Sequence, residues 1–129
     1  MRLILQLIRP ARVSTPVGPY TPAVRAGDFV VVSGQLGLSE GALIEGGVAA
    51  QVTQAVRNIA ALLDQHSLSL SDVVKTTVLL ADIGDYAVMN EAYVAAFGDH
   101  RPARAAFAVA GLPLGALVEI EAWAFSSSS

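Results

Sequence analysis

The sequence predicts an α+β fold, a two-layer sandwich in which two helices cover one face of a mixed sheet. Two segments carry apolar residues at helical spacing, short β-branched runs flank them, and the predicted order of elements is ββαβαββ. The chain of 129 residues has the length of one domain. We therefore expect a single domain over residues 1–125 and a disordered polar tail over residues 126–129.

The N-terminal part of the chain predicts strands. The apolar run that ends at Arg9 is too short for a signal peptide and lacks a small-residue cleavage site directly after it, so we interpret it as a short strand. Residues 29–33 form a β-branched run between glycines, which is typical of a buried strand. Turn-forming residues at 39–42 and 46–47 then separate these strands from the first helix.

The remainder alternates between helix and strand. Apolar spacing predicts helices over residues 48–65 and 86–97, with Asp82 or Asp85 able to cap the second helix and Gly98 placed to end it. Residues 72–80 alternate as a strand does when a helix covers one of its sides. Residues 103–110 and 116–125 predict two strands joined by a turn at 111–115, which indicates a closing hairpin.

The composition predicts an oligomer. Charged residues make up 15% of the chain, against roughly 25% in an average soluble domain, and the mean hydropathy is +0.55. Helices on one face of the sheet leave the other face uncovered, so we expect subunits to pack against it. No apolar run approaches the length of about 20 residues that a membrane helix needs, so no membrane partner is expected.

Several classes of chemistry lack support in the sequence. The absence of cysteine excludes disulfides and thiolate nucleophiles, and it fits a reducing compartment, so we expect a cytoplasmic protein. The net charge is −3 and the arginines are scattered, which argues against a nucleic-acid partner. His66 and His100 have no carboxylates at metal-ligand spacing and predict surface histidines. No nucleotide-binding or serine-hydrolase motif occurs, so no cofactor is expected.

Arg104 is the most informative polar residue. It lies in a predicted strand of small apolar residues, where a guanidinium is partly buried and needs a partner. Glu119 or Glu121 could supply an internal salt bridge. A guanidinium also matches a carboxylate bidentately, so the carboxylate of an anionic ligand is the alternative.

Glu119 and Glu121 fall on one face of the last predicted strand, about 7 Å apart along it. A carboxylate there could activate a water molecule, although a solvated strand face is the commoner position of glutamate and is the interpretation that these residues favour by themselves. A symmetric hairpin centred on Pro113 would place Glu119 opposite Phe107 and on the other side of the sheet from Arg104, whereas a bulge would reverse that arrangement. Taken singly, Tyr20 and Asn90 predict a turn aromatic and a helix-surface amide.

A series of short motifs runs from about residue 14 to residue 125. They are Gly18-Pro19-Tyr20, Val32-Ser33-Gly34-Gln35, Asp72-Val73-Val74-Lys75-Thr76-Thr77-Val78, Asn90-Glu91-Ala92-Tyr93, Arg101-Pro102-Ala103-Arg104, Gly111-Leu112-Pro113 and Val118-Glu119-Ile120-Glu121-Ala122. In this order and spacing they resemble the YjgF/RidA family. The resemblance implies a chorismate-mutase-like fold and a homotrimer with ligand clefts between its subunits.

The resemblance also implies roles for single residues. Arg104 matches the arginine that holds the substrate carboxylate, and Glu119 matches the glutamate that positions the attacking water. The residues that match the lining of the cleft are Tyr20, Ser33, Gly34 and Asn90. Ala106 stands where members of the deaminase subgroup have a cysteine, at a position whose backbone N–H contacts the ligand.

The implied activity is cofactor-independent hydrolysis of 2-iminopropanoate and 2-iminobutanoate to 2-keto acids and ammonia. Two other hypotheses remain open from the sequence. One is a regulatory trimer that binds a small carboxylate without turnover. The other, which the acidic net charge disfavours, is RNA cleavage with inhibition of translation.

Overall fold

The computed structural model describes residues 5–8, as backbone, and residues 18–126. The elements in chain order are β1 (Leu5–Ile8), β2 (Ala23–Ala26), β3 (Phe29–Leu36), β4 (Leu38–Ser39), β5 (Ala42–Leu43), α1 (Gly47–Asp64), β6 (Val73–Leu80), α2 (Tyr86–Phe97), β7 (Ala103–Ala108) and β8 (Val118–Phe125). Most of the predicted polar tail, residues 127–129, lies outside the described residues. The α+β prediction is confirmed, with β2 and the small β4–β5 hairpin as additional strands.

The main sheet contains six strands in the order β1-β2-β3-β8-β6-β7. Strand β7 pairs parallel to β6, and the other neighbouring strands pair antiparallel, so the sheet is mixed as predicted. Helix α2 forms the crossover between β6 and β7, which is the usual way to join parallel neighbours.

Both helices pack on one face of this sheet, as predicted. Helix α1 buries Val52, Ala55, Ile59, Leu62 and Leu63 in a single core cluster with sheet residues such as Val30, Val78, Ile120 and Ala122. Helix α2 adds Met89, Tyr93 and Phe97 to that cluster. The hydroxyls of Tyr93 and Thr76 lie 2.7 Å apart in the core and fix α2 over β6. These contacts define the helix-covered face of the sheet.

The ends of α2 follow from local chemistry. The helix spans Tyr86–Phe97 as predicted, and Gly98 follows it at φ 67°, a left-handed conformation that glycine adopts readily. Asp82 accepts a hydrogen bond from the N–H of Gly84 at 2.8 Å, so it caps the single helical turn before α2. Asp85 occupies the N-cap position of α2 itself without a side-chain bond.

The predicted closing hairpin is wrong. Strand β8 lies between β3 and β6, and β6 separates it from β7. The connection from β7 to β8 crosses the end of β6, where the N–H of Val109 bonds to Leu80 and the N–H of Ala81 bonds to Leu117. Strands stand about 4.8 Å apart, so this connection is long enough to step over one strand. The turn signal at Gly111 and Pro113 thus marks a crossing and not a hairpin tip.

The second face of the sheet carries exposed aromatic side chains. Phe29, Trp123 and Phe125 are 38%, 44% and 40% exposed, and their rings form an edge-to-face cluster with centroids 6.0 and 5.1 Å apart. We call this side the open face. Among residues 18–126, no helix has the length and apolar character that would allow it to cross a membrane.

Candidate active site

The predicted site residues lie in two separate places on the chain. Arg104 and Asn90 line one cavity of about 380 Å³ together with Tyr93, Val94, Arg101 and Pro102. Tyr20, Ser33, Gly34 and Glu119 line another cavity of about 310 Å³ together with Leu36, Pro113 and Glu121. We call these the arginine half-site and the carboxylate half-site.

The arginine half-site is built by strand β7 and helix α2. Arg104 is half-buried, as predicted, and its Nη2 donates to Asn90 Oδ1 at 2.8 Å and to the Tyr86 hydroxyl at 3.1 Å. Its Nη1 lies 3.7 Å from the sulfur of Met89. The guanidinium carbon also lies 4.9 Å from the ring centroid of Tyr93, within the range of a cation–π contact.

These partners are uncharged, so the predicted alternative of an internal salt bridge between Arg104 and a glutamate is not what residues 18–126 form. Asn90 and the aromatic rings orient the guanidinium, but they leave its positive charge uncompensated by a carboxylate in that part of the chain. A half-buried cation held in this way is suited to bind an anion.

Tyr86 and Tyr93 contact the Arg104 guanidinium but were not among the predicted site residues. For both positions the sequence predicts only the helix over residues 86–97. The available signal was that Asn90 follows Tyr86 by four residues and precedes Tyr93 by three, so all of them share one side of α2. A helix side that combines phenols, an amide and an apolar core residue can pack on the sheet and also hold a cation.

The carboxylate half-site is built where strand β3 departs from regular pairing. The register between β3 and β8 shifts between Val32 and Gln35, which is the signature of a bulge at Ser33 and Gly34. The Ser33 hydroxyl donates to the carbonyl of Thr21 at 2.7 Å, which ties the bulge to the segment after Tyr20. A Cβ atom at Gly34 would overlap Oε2 of Glu119, so only glycine leaves room for that carboxylate.

Glu119 is the perturbed acid of this half-site. It is half-buried on β8, while Glu121 on the same strand is exposed. Burial and, to a lesser degree, the negative charge of Glu121 raise the pKa of the Glu119 carboxyl above its ordinary value. A carboxylate whose pKa is raised is a stronger base once it is ionised, which suits it to accept a proton from water.

The two half-sites lie on opposite faces of the sheet. Arg104 pairs with Thr76, which pairs with Ala122, and this row faces the helices. Glu119 pairs with Leu79 and lies three residues from Ala122, so its side chain points to the open face. Arg104 and Glu119 therefore do not meet on the sheet within one chain. The symmetric hairpin also predicted opposite faces for them, although β7 and β8 do not pair with each other as that hairpin required.

The remaining predicted residues have structural partners. Ala106 pairs with Val78 and packs its methyl group against the core. The histidines are half-buried and not simply surface residues, since His66 Nδ1 accepts from Arg25 Nε at 3.0 Å and His100 Nε2 lies 2.7 Å from the carbonyl of Val73. Burial and the Arg25 charge lower the pKa of His66. Within residues 18–126, no group of three His, Cys, Asp or Glu residues is arranged to hold a metal ion.

Comparison with known proteins places the chain in a family. The family model described as Endoribonuclease L-PSP matches residues 11–126, which is most of the chain. The human protein named 2-iminobutanoate/2-iminopropanoate deaminase is 44% identical over 122 residues, covering 93% of this chain and 89% of the human protein.

Solved structures agree in fold and length. The crystal structure of RidA from an Antarctic Psychrobacter species matches with a TM-score of 0.89 and 43% identity, and the match covers 94% of this chain and 99% of that one. The structure of Escherichia coli TdcF with bound serine matches with a TM-score of 0.88 and 34% identity, covering 95% and 99% of the two chains. The chain belongs to the YjgF/RidA family, which the family model describes as Endoribonuclease L-PSP.

Proposed function

We propose that this protein hydrolyses reactive 2-imino acids, such as 2-iminopropanoate and 2-iminobutanoate, to 2-keto acids and ammonia without a cofactor. The observation that carries the proposal is the guanidinium of Arg104, which is half-buried and held by uncharged partners. A guanidinium in that setting is stabilised more by a small carboxylate than by another neutral group. The human relative bears the name of this activity, which supports the substrate class.

The active site in this proposal is a cleft between subunits of a homotrimer. Arg104 and Glu119 face opposite sides of the sheet in one chain, so a ligand that touches both needs the arginine half-site of one subunit and the carboxylate half-site of its neighbour. The exposed aromatic cluster on the open face supplies the apolar surface that such an interface would bury.

The chemistry requires little besides orientation and one proton acceptor. Arg104 pairs with the carboxylate of the imino acid, and Asn90 and Tyr20 border the ligand. Glu119 takes a proton from water as the oxygen adds to the imine carbon, and that proton is returned to the nitrogen. This addition gives a carbinolamine. The hydroxyl proton of the carbinolamine then passes to the nitrogen by way of Glu119, the carbon–nitrogen bond breaks, the carbonyl of the 2-keto acid forms and ammonia leaves. General-base help of this kind contributes roughly 10² to 10⁴ in rate.

The backbone N–H of Ala106 completes the proposed ligand contacts. Because the Ala106 side chain packs toward the core, replacing a cysteine with alanine at this position removes bulk there while leaving the main-chain donor in place. Ser33 and Gly34 shape the opposite wall, where the glycine makes room for the Glu119 carboxylate.

RNA cleavage is the weaker hypothesis, although the family description carries an endoribonuclease name. Glu119 and Glu121 both line the carboxylate half-site, and the chain has a net charge of −3. Two carboxylates beside one cavity repel a phosphate backbone with its many negative charges, whereas the single carboxylate of an imino acid is compensated by Arg104.

The direct test generates the imine with a threonine dehydratase and follows keto-acid release. We expect the protein to accelerate release and the Arg104→Ala variant to lose most of the acceleration. Arg104→Lys should also be poor, because an ammonium cannot grip both carboxylate oxygens. Arg57→Ala is the matched control, since Arg57 is exposed on α1. Equal rates for wild type and Arg104→Ala would refute the proposal.

A further inference from the structure

We propose that the Tyr86 hydroxyl is an internal competitor for the Arg104 fork, and that a ligand carboxylate binds bidentately by displacing it. This inference rests on the proposed function in one respect, namely that Arg104 binds a carboxylate. The inference adds Tyr86 as a residue that sets the affinity of the site for carboxylates. For this position the sequence predicts only a helix.

Arg104 has a limited number of hydrogen-bond donors. A guanidinium has five N–H groups, one on Nε and two on each Nη atom. Nη2 donates to Asn90 Oδ1 at 2.8 Å and to Tyr86 Oη at 3.1 Å, which accounts for both of its hydrogens. Nη1 has the sulfur of Met89 at 3.7 Å, a weak acceptor.

A carboxylate can bind a guanidinium only along certain edges. Two oxygens can grip a guanidinium along the edge of Nε and Nη2 or along the edge of Nη1 and Nη2. Each of these edges requires one Nη2 hydrogen. Since Asn90 and Tyr86 hold both, bidentate binding requires that one of them release Arg104.

Tyr86 is the partner that can move. Tyr86 is 41% exposed and is the first residue of helix α2. Asn90 is half-buried within the helix, and its hydrogen bond to Arg104 is the shorter of the two. The ring of Tyr86 lies 5.7 Å from the guanidinium carbon, so the ring can keep its contact while the hydroxyl swings away. The adjacent ring of Tyr93, 4.9 Å from the same carbon, holds the guanidinium in place during that exchange.

The hydroxyl of Tyr86 therefore lowers the affinity of the site for carboxylates. The hydroxyl also satisfies one Arg104 donor and orients the guanidinium. Anions that match the fork poorly therefore bind with lower affinity. A ligand with a planar carboxylate recovers two hydrogen bonds for the one it displaces, whereas a neutral amide recovers fewer.

The test is the Tyr86→Phe variant of the full-length protein, titrated calorimetrically with 2-ketobutanoate and with its neutral amide. We expect the variant to bind 2-ketobutanoate about two- to fivefold more tightly than wild type, as loss of one part-exposed competing hydrogen bond predicts. The amide should show no such gain. In the imine assay, KM should fall by a similar factor while kcat stays unchanged.

Several results would overturn this inference. Equal affinity of wild type and Tyr86→Phe would show that the hydroxyl does not compete, and weaker binding by the variant would show that it contacts the ligand instead. If either result came with Arg104-dependent imine hydrolysis, the proposed function would stand and the role of Tyr86 would fall. If wild type and Arg104→Ala hydrolysed the imine equally fast, the proposed function would fall and the role of Tyr86 with it. A circular dichroism melt establishes that the variant is folded.

Discussion

If each active cleft combines the arginine half-site of one subunit with the carboxylate half-site of another, two inactive variants should restore activity together. The variants are Arg104→Ala and Glu119→Gln, which damage different half-sites. Each alone should retain less than about 1% of the wild-type rate, since Glu119→Gln removes general-base catalysis that contributes roughly 10² to 10⁴ and Arg104→Ala removes the group that orients the substrate. Unfolding and refolding an equal mixture allows subunits to exchange.

The expected recovery follows from the geometry of the sheet. Glu119→Gln subunits keep an intact arginine half-site, and Arg104→Ala subunits keep an intact carboxylate half-site. In an equal mixture, each side of a cleft comes from the required variant with a probability of one half. About one quarter of the clefts are then intact, so the mixture should show about 25% of the wild-type rate in the imine assay. The mixture before refolding serves as the control and should stay inactive.

A second mixture sharpens the test. Wild type refolded with an equal amount of the double variant, Arg104→Ala with Glu119→Gln, should also reach about 25% of the rate if the clefts are shared between subunits. A site made within one chain gives about 50% in this second mixture and no recovery in the first, by the same counting. Observing that pair of values would refute the shared cleft.

Three further predictions follow from the carboxylate half-site and from His66. Gly34→Ala should reduce kcat/KM by about 10²-fold, because a Cβ atom there displaces the Glu119 carboxylate. The control Gly111→Ala places its Cβ in open space and should have no effect. Equal kcat/KM values for the two variants would contradict the packing of Glu119 on Gly34. Glu121→Gln should move the acid limb of the kcat/KM profile to lower pH, because the Glu121 charge contributes to the raised pKa of Glu119; an unmoved limb would exclude that coupling. The pKa of His66 is lowered in the folded protein, so its contribution to stability is fully present above the unfolded pKa and is lost as the pH falls from there through the lower, folded pKa. Tm should therefore drop between pH 7.5 and 5.5 less in His66→Gln than in wild type, and identical slopes would count against this linkage.

The fold was predictable where a pattern is local. The periodicity of residues 48–65 and 86–97 identified both helices to within a residue at each end, because one apolar side of each helix packs on a single sheet. The pairing of the last strands was not predictable in the same way. A turn signal around Pro113 says that the chain changes direction, but the sequence does not state that β6 occupies the space in between.

The strand face and the burial of individual candidate-site residues were predictable, whereas their three-dimensional arrangement was not. Alternation along β8 correctly placed Glu119 and Glu121 on one face, and the apolar surroundings of Arg104 correctly indicated partial burial. The partners of Arg104 come from α2, which precedes it in sequence and reaches it through the packing of the helix on the sheet. Helical spacing places Tyr86 and Asn90 on one side of α2, but it does not say that this side meets Arg104, because that contact depends on tertiary structure.

The separation of Arg104 and Glu119 also explains why both remain chemically available. Had they shared a face and come within contact distance, the guanidinium would have neutralised the carboxylate and lowered its pKa, and neither group would have been left to act on a ligand. The row of Arg104, Thr76 and Ala122 faces the helices, while Glu119 lies an odd number of residues from Ala122 and faces away. A slip of one residue in the register of β8 would bury Glu119 under α1 and expose Ile120, which the core does not permit. The strand period thus keeps the cation and the base apart within a chain, and only a ligand in a shared cleft would bring them to the same molecule.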